Sequence, residues 1–563
     1  METEAHRRGA RRSRWAACAA AALGLAMLAP VAPSQAAGGP KVTIESGAVR
    51  GFVEDGVARF YGIPYAKPPV GELRWRPPVK PDSWQGVRDA KTFGPICFQV
   101  TTLGPFAGPQ NDNEDCLYLN VFTPNVKPDG KGKLPVIVWL HGGANFTGAG
   151  SDYDGSKLAR DGKTVVVTLN YRLSLLGFLA HPALDAEGHP SANYGLLDQQ
   201  AALRWVRDNI DKFGGDKNNV LLGGQSAGSV DTESQVISPL AKGLFHRAIF
   251  QSVLLEPSPL ATAQAKGVSF SVAAGCGAGA DEATAKCLRK LTSKQIYDLA
   301  GTQAAAPSYS SNIIADGQIL PGRFVDLIAA GQFNKMPVMS GLTIDEQNFS
   351  LGISQYFRPG QTPATEADYD ARIAAYGAAN YPEGTQQKVK KLYPLGAYPS
   401  PQLALNAIGT DSTVCTQRYT NQLLAPQVPV YFYEFADRTA PSYFPKMRGF
   451  TSGAYHTADI PYLFPGWHGG PDGRTHVLNK KQQKLSDEMV AAWTNFAWTG
   501  NPNGLGNSPW PRYRNKKHVP GILQQNIPYS STLTDAQYSA AHRCDFWDAT
   551  LTYKATPTAS AAE

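Results

Sequence analysis

The feature that most limits what this chain can fold into is a five-residue turn, Gly224-Gln225-Ser226-Ala227-Gly228, set directly after the apolar run Val220-Leu221-Leu222. A segment compatible with a helix follows. In a strand–turn–helix setting the central serine sits at a sharp bend with its hydroxyl exposed. The flanking positions are glycine because neighbouring backbone passes where a Cβ would stand. With 55 glycines in 563 residues such a five-residue pattern also arises by chance, so its surroundings decide what it means.

Those surroundings are strand-like and helix-like in alternation. Pro135–Leu140, Thr164–Leu169, Ala248–Gln251, Pro337–Ser340 and Pro429–Phe435 are apolar at nearly every position and bounded by turn residues. Such runs suit strands buried on both faces of a parallel sheet. Gly195–Ile210 and Lys484–Trp498 carry apolar residues on one helical face. The alternation predicts an α/β fold with a doubly wound, mostly parallel sheet. The stretches around 255–330 and 350–410 break the rhythm, being rich in Ala, Gly, Pro and Tyr, and read as insertions that build the rim of a substrate gorge. No repeat or linker divides the chain, so residues 37–563 are expected to form one domain despite their number.

The first 36 residues differ in kind. Arg7, Arg8, Arg11, Arg12 and Arg14 precede an apolar stretch from Trp15 to about Val31, and Ser34-Gln35-Ala36 offers a cleavage site. This is the layout of a secretory signal peptide, and the apolar stretch is short for a membrane span. Its removal lowers the formal charge from +7 to about +4, no footprint for nucleic acid. Six cysteines remain: Cys97, Cys116, Cys276, Cys287, Cys415 and Cys544. An even number in an exported chain points to disulfides, with 15 connectivities open. No CxxC, HExxH, GxxxxGK[ST] or GxGxxG pattern occurs, so neither a metal nor an organic cofactor is expected. Nothing in the sequence speaks to oligomeric state.

A second glycine-rich motif, His141-Gly142-Gly143-Ala144, follows the run Pro135–Leu140. A loop of this kind can aim several backbone N–H groups into one pocket. Acyl transfer needs this, because negative charge builds on the carbonyl oxygen in the transition state. Ser226 would also need a base to take its proton and an acid to orient that base. His246, His456, His468, His476, His518 and His542 all lie downstream, and spacing alone does not choose among them.

Several longer blocks resemble the type-B carboxylesterase/lipase family, which includes cholinesterases and bile-salt-activated lipases. They are Gly62–Pro78, Glu114–Pro124, Asn170–Leu179, Asn193–Gly228, Phe245–Ser252 and Asn495–Asn503, in the family's order over nearly the whole chain after the leader. The resemblance implies an α/β-hydrolase fold and a secreted serine carboxylesterase working through an acyl-enzyme on small ester substrates. The block Gly453–Tyr462 is similar to the one around the family's catalytic histidine, which makes His456 the base. Gly341–Gln347 is similar to the acid block, which favours Glu346 over its neighbour Asp345. By the same correspondence the oxyanion donors are the N–H groups of Gly143, Ala144 and Ala227. The implied disulfides are Cys97–Cys116, Cys276–Cys287 and Cys415–Cys544, and Arg74 and Glu114 match a family salt bridge, although a solvated pair fits the sequence as well.

The chain departs from the family pattern at several points. Gln225 stands for the usual Glu, Ser229 for Gly, Gln347 for Gly and Val253 for Gly, while Asp231 adds a carboxylate five residues past Ser226. Thr101–Asn113 holds Phe106 but no Trp, so a cholinesterase's cation-binding indole is missing and acetylcholine is a poor fit. Lipase or amidase chemistry with the same residues, and a non-catalytic binding protein of the same family, are the competing readings.

Overall fold

In the run Val136-Ile137-Val138-Trp139-Leu140, alternate side chains enter two different cores. Val136, Val138 and Leu140 pack in one, Ile137 and Trp139 in the other. Strand side chains alternate between faces, so a strand apolar at every position must be covered on both. The structure, a computed structural model, describes residues 38–100, 109–126, 133–252, 255–300, 309, 312–468, 474–475, 477–550 and 554–555. The leader at 1–36 and residues 101–108, with Phe106, lie outside the described residues.

The main sheet has eleven strands among the described residues. In chain order these are β1 (Phe52–Glu54), β2 (Val57–Pro64), β3 (Tyr118–Thr123), β4 (Leu134–Leu140), β5 (Val165–Leu169) and β6 (Gly215–Gln225). They continue as β7 (Arg247–Gln251), β8 (Val338–Thr343), β9 (Val430–Phe435), β10 (Pro520–Gln525) and β11 (Ser531–Thr534). Across the sheet the order is β11-β10-β9-β8-β7-β6-β4-β5-β3-β2-β1. Pairing is parallel from β5 through β10 and antiparallel at both edges.

Helices α1 (Tyr194–Asn209), α2 (Ala227–Ile237) and α3 (Pro401–Leu424) contribute Leu203, Val230 and Ile408 to the core holding Val136. Helix α4 (Lys480–Thr499) contributes Met489, Trp493 and Phe496 to the core on the opposite face. Each such side chain, fully buried, stabilises by about 1.5–3 kcal/mol. Helix α4 begins four residues before its apolar pattern does, because Asn479 caps it: its side chain accepts from Lys481 N at 3.0 Å and Gln482 N at 3.1 Å. The stretch 350–410 is largely helical, with Asn348–Tyr356, Glu366–Ala375, Thr385–Leu392 and the start of α3. These helices are short and half-exposed, and the Gly, Pro and Tyr residues between them interrupt the pattern.

The cysteines pair as Cys97–Cys116, Cys276–Cys287 and Cys415–Cys544, the pairing the resemblance implies. The last ties α3 to the helix Cys544–Thr550 across 129 residues, the longest of the three loops and so the one that restricts the unfolded chain most. Arg74 and Glu114 form a buried two-point ion pair, Nε–Oε2 at 2.7 Å and Nη2–Oε1 at 2.5 Å, and not a solvated one.

Of the downstream histidines, His542 is buried within a cluster of charged side chains. Its ring is buried, with Nδ1 2.9 Å from Asp411 and Nε2 2.6 Å from Glu434, and Arg543 also pairs with Asp411 at 2.8 Å. Burial opposes charge on the ring, but the bonds to the two carboxylates outweigh it and push the pKa up to about 9. In the unfolded chain a histidine titrates near 6.5. The stabilisation is therefore complete below about 6.5 and is lost as pH rises through about 9. Melting temperature measured from pH 6 to 9.5 is expected to fall, and His542→Gln to flatten that fall; equal slopes in the two proteins would contradict this origin.

Candidate active site

Strand β6 ends in the turn that carries Ser226, whose φ of 59° and ψ of −125° lie where only glycine is at ease. Holding a serine there costs about 1–3 kcal/mol. The packing around it enforces the bend: Ser226 N–H donates to the Gln251 carbonyl at the end of β7 at 2.8 Å. A Cβ on Gly224 would overlap the Gly228 carbonyl, and one on Gly228 would overlap that of Leu140. From Val220 to Ser238 every residue is buried except Ser226. The turn thus exposes one side chain, a hydroxyl, at the carboxyl edge of a buried sheet.

The loop after β4 lies against this turn. A Cβ on Gly142 would stand 3.1 Å from Ser226 Cβ, so nothing larger fits between. Gly143, Ala144 and Asn145 follow with φ of 116°, 55° and 58°. The Gly143 carbonyl is occupied, accepting from Phe146 N at 2.9 Å and Thr147 N at 3.1 Å. The N–H groups of Gly143, Ala144 and Ala227 have no hydrogen-bond acceptor among the described residues. Gly143 and Ala144 are half-buried between fully buried neighbours. Unpaired donors of this kind are what a developing oxyanion requires.

His456 reaches the same edge from the loop after β9. Its Nδ1 lies 2.5 Å from Glu346 Oε1. Glu346 Oε2 accepts from Thr343 Oγ1 at 2.6 Å, Thr343 N at 3.1 Å and Ser252 Oγ at 3.3 Å. Burial would raise the Glu346 carboxyl, but His456 and Thr343 outweigh it and hold it below its ordinary value. Glu346 therefore stays ionised and orients the imidazole with its proton on Nδ1, leaving Nε2 as the basic nitrogen. No hydrogen bond joins Ser226 Oγ to His456 in the structure. The Gln225 amide nitrogen lies 3.1 Å from Nε2 and 3.4 Å from Nδ1, nearly equidistant, and so against the ring rather than on one nitrogen's axis. Base–nucleophile bonds in ligand-free sites commonly tighten only with substrate.

Asp345 faces the other way. It accepts from Arg438 Nε at 2.8 Å and Ala454 N at 3.0 Å, pinning the histidine loop from behind. The structure thus brings Glu346, and not Asp345, to the His456 ring. Gln347, where the resemblance leads one to expect glycine, has an ordinary helical φ of −74° and its side chain packs over Gly409 of α3. The missing small residue is on the facing helix.

Three buried groups near the site have no assigned part in the sequence reading. Asp459 accepts from Gln251 Nε2 at 2.9 Å, and burial together with the charge of Glu346 raises its carboxyl to about 6. Asn145 and Asp231 are joined at 2.9 Å behind the loop after β4. Only the extra carboxylate at 231 was visible as a departure; its partners come from segments far apart in sequence.

A model described as the carboxylesterase family matches residues 38–547. Human (Homo sapiens) cocaine esterase is 34% identical over 570 residues, covering 95% of this chain and 96% of that protein. Fumonisin B1 esterase of Sphingopyxis macrogoltabida is 36% identical, covering 84% and 85%. Among solved structures, a PNB esterase superposes with a TM-score of 0.70 at 31% identity, covering 90% of this chain and 99% of that one.

The opposed orientations of the two neighbouring carboxylates make a direct prediction. Glu346→Gln is expected to lower kcat on a p-nitrophenyl ester by about 10³–10⁴-fold. Asp345→Asn is expected to cost less than about tenfold in kcat, and to lower the melting temperature instead. The reverse pattern in kcat and thermal melts would contradict the geometry.

Proposed function

This chain belongs to the carboxylesterase family, has its α/β-hydrolase fold and is a carboxylic ester hydrolase, and from that premise we propose that Ser226, His456 and Glu346 form its catalytic triad. The observation that carries the reading is the meeting of one half-buried serine on a strained turn with a carboxylate-bound imidazole and three unpaired N–H groups at one sheet edge.

In this reading the ester carbonyl lies over Ser226 with its oxygen toward the N–H groups of Gly143, Ala144 and Ala227. Ser226 Oγ forms a bond to the carbonyl carbon while His456 Nε2 takes the hydroxyl proton. The resulting oxyanion is held by the three donors, each worth about 10²–10³ in rate. Collapse expels the alcohol, which leaves with the proton from His456, and Ser226 keeps the acyl group. Water then attacks as His456 removes its proton, and the second oxyanion collapses to the acid and free serine. Glu346 remains ionised throughout and stabilises the imidazolium at each stage.

We also propose that residues 1–36 are a cleaved export signal, leaving one catalytic domain over 37–563 in the extracellular space. The three disulfides support an oxidising compartment. Among the described residues no helix is long and apolar enough to cross a membrane. Relatives are named for cocaine, fumonisin B1 and p-nitrobenzyl esters, which favours a small-molecule ester as substrate.

A fluorophosphonate probe is expected to label Ser226 stoichiometrically. Ser226→Ala should abolish labelling and lower p-nitrophenyl butyrate hydrolysis by about 10⁴-fold or more. Full activity in that variant sinks the assignment. Matched esters should exceed anilides in kcat/KM; the opposite ratio would move the chain to amidase chemistry.

A further inference from the structure

Asp231 lies on α2, five residues beyond Ser226, and is wholly buried. No Lys or Arg pairs with it among the described residues. A buried carboxylate without a cation is costly unless hydrogen bonds replace its water. Here Oδ1 accepts from Asn145 Nδ2 at 2.9 Å and Oδ2 from Gln199 Nε2 of α1 at 2.6 Å. The Tyr171 phenol stands beside it and donates to the His141 carbonyl at 2.7 Å. The His141 ring stacks on Tyr171, and burial lowers its pKa to about 4, so it brings no charge. Burial pushes Asp231 itself up to about 7, against the pull of the surrounding donors.

The network leads away from Asp231 toward the reacting edge. Both Asp231 oxygens accept, one from Asn145 and one from Gln199, and this fixes which end of the Asn145 amide faces it. The second hydrogen on Asn145 Nδ2 goes to Asn312 Oδ1 at 2.8 Å. Asn312 Nδ2 in turn donates to the Ala144 carbonyl at 3.1 Å, while the Asn145 carbonyl accepts from Ser174 N at 2.7 Å. Two successive peptides are therefore held by their carbonyls, the one after Ala144 by Asn312 and the one after Asn145 by Ser174. This stretch needs holding, because Ala144 and Asn145 are successive non-glycine residues in the left-handed region, which crowds the Cβ of an L-residue against the following carbonyl.

We propose that Asp231 is a positioning residue for the oxyanion loop, fixing through Asn145 and Asn312 the direction in which the Gly143 and Ala144 N–H groups point. The inference rests on the role proposed above for those two groups. Asp231 touches no substrate and takes no proton from it. Its effect is confined to the stage at which the carbonyl oxygen becomes charged, so it belongs in kcat and not in KM.

The test uses the whole chain, with active sites counted by fluorophosphonate titration. Asp231→Ala is expected to lower kcat on p-nitrophenyl butyrate by about 10–100-fold, less than outright loss of a donor, with KM changed less than about threefold. The Ki of a trifluoromethyl ketone, which places an oxyanion in the same pocket, should rise by the same factor as kcat falls. Asp231→Asn keeps one acceptor oxygen and should fall in between. Asn312→Ala removes the outer link while leaving the bonds of Asp231 to Asn145 and Gln199, is not fully buried, and should cost about 5–10-fold by the same signature; it decides the matter where Asp231→Ala does not fold. Variants whose kcat per titrated site stays within about threefold of wild type, or whose kcat falls with an unchanged Ki, overturn the proposal. A wild-type protein that resists labelling at Ser226 overturns the reading beneath it as well, whereas a labelled wild type with unaffected variants overturns this inference alone.

Discussion

The turn at Ser226 is the constraint from which the rest of the site follows. A serine held at positive φ is unfavourable by itself, and it persists because three strands converge beneath it. Strand β6 delivers the residue, β7 takes its N–H through the Gln251 carbonyl, and β4 brings the Leu140 carbonyl so close that residue 228 must be glycine. The same close approach sets the loop after β4 against Ser226, since Gly142 is packed onto it. Sheet order then brings Glu346 to the same edge: Ser252 follows β7, Thr343 ends β8, and both hydrogen bond to Glu346.

What surrounds the reacting groups is a set of buried polar side chains, each satisfied by a partner from another segment. Glu346 has Thr343, Ser252 and His456; Asp345 has Arg438 and Ala454; Asp231 has Asn145 and Gln199. Such groups add little net stability compared with apolar residues of the same volume, but breaking one of their bonds is costly. They restrict the loops on which His456 and the N–H donors ride to one arrangement. The parallel sheet supplies the platform, and these pairs fix the loops above it.

How much of this was legible in the sequence depended on whether the signal was local. The strands β4 to β9 could be read because burial on both faces leaves an unbroken apolar run, and the turn because its glycines are required within five residues. The helices of 350–410 are hard to read because they are short and half-exposed, and the Gly, Pro and Tyr between them read as irregular chain. The start of α4 was missed because its first turn is specified by a cap, Asn479, and not by apolar spacing. Choosing His456 among six downstream histidines needed the family resemblance, because triad partners meet only in space. Glu346 and Asp345 are chemically alike and adjacent; only the turn after β8 sends one to the histidine and the other to Arg438. His542 shows no sequence sign of burial, because Asp411 and Glu434 reach it from α3 and β9, more than 100 residues away.

The central claim is that Ser226 carries the acyl group between the two halves of the reaction. Rapid mixing with p-nitrophenyl butyrate, acid quenching and peptide mass spectrometry test it most directly. The account predicts a burst of p-nitrophenol equal to the number of active sites, with a butyryl group on the peptide containing Ser226. An acyl group on any other residue, or steady turnover with neither burst nor adduct, would contradict it.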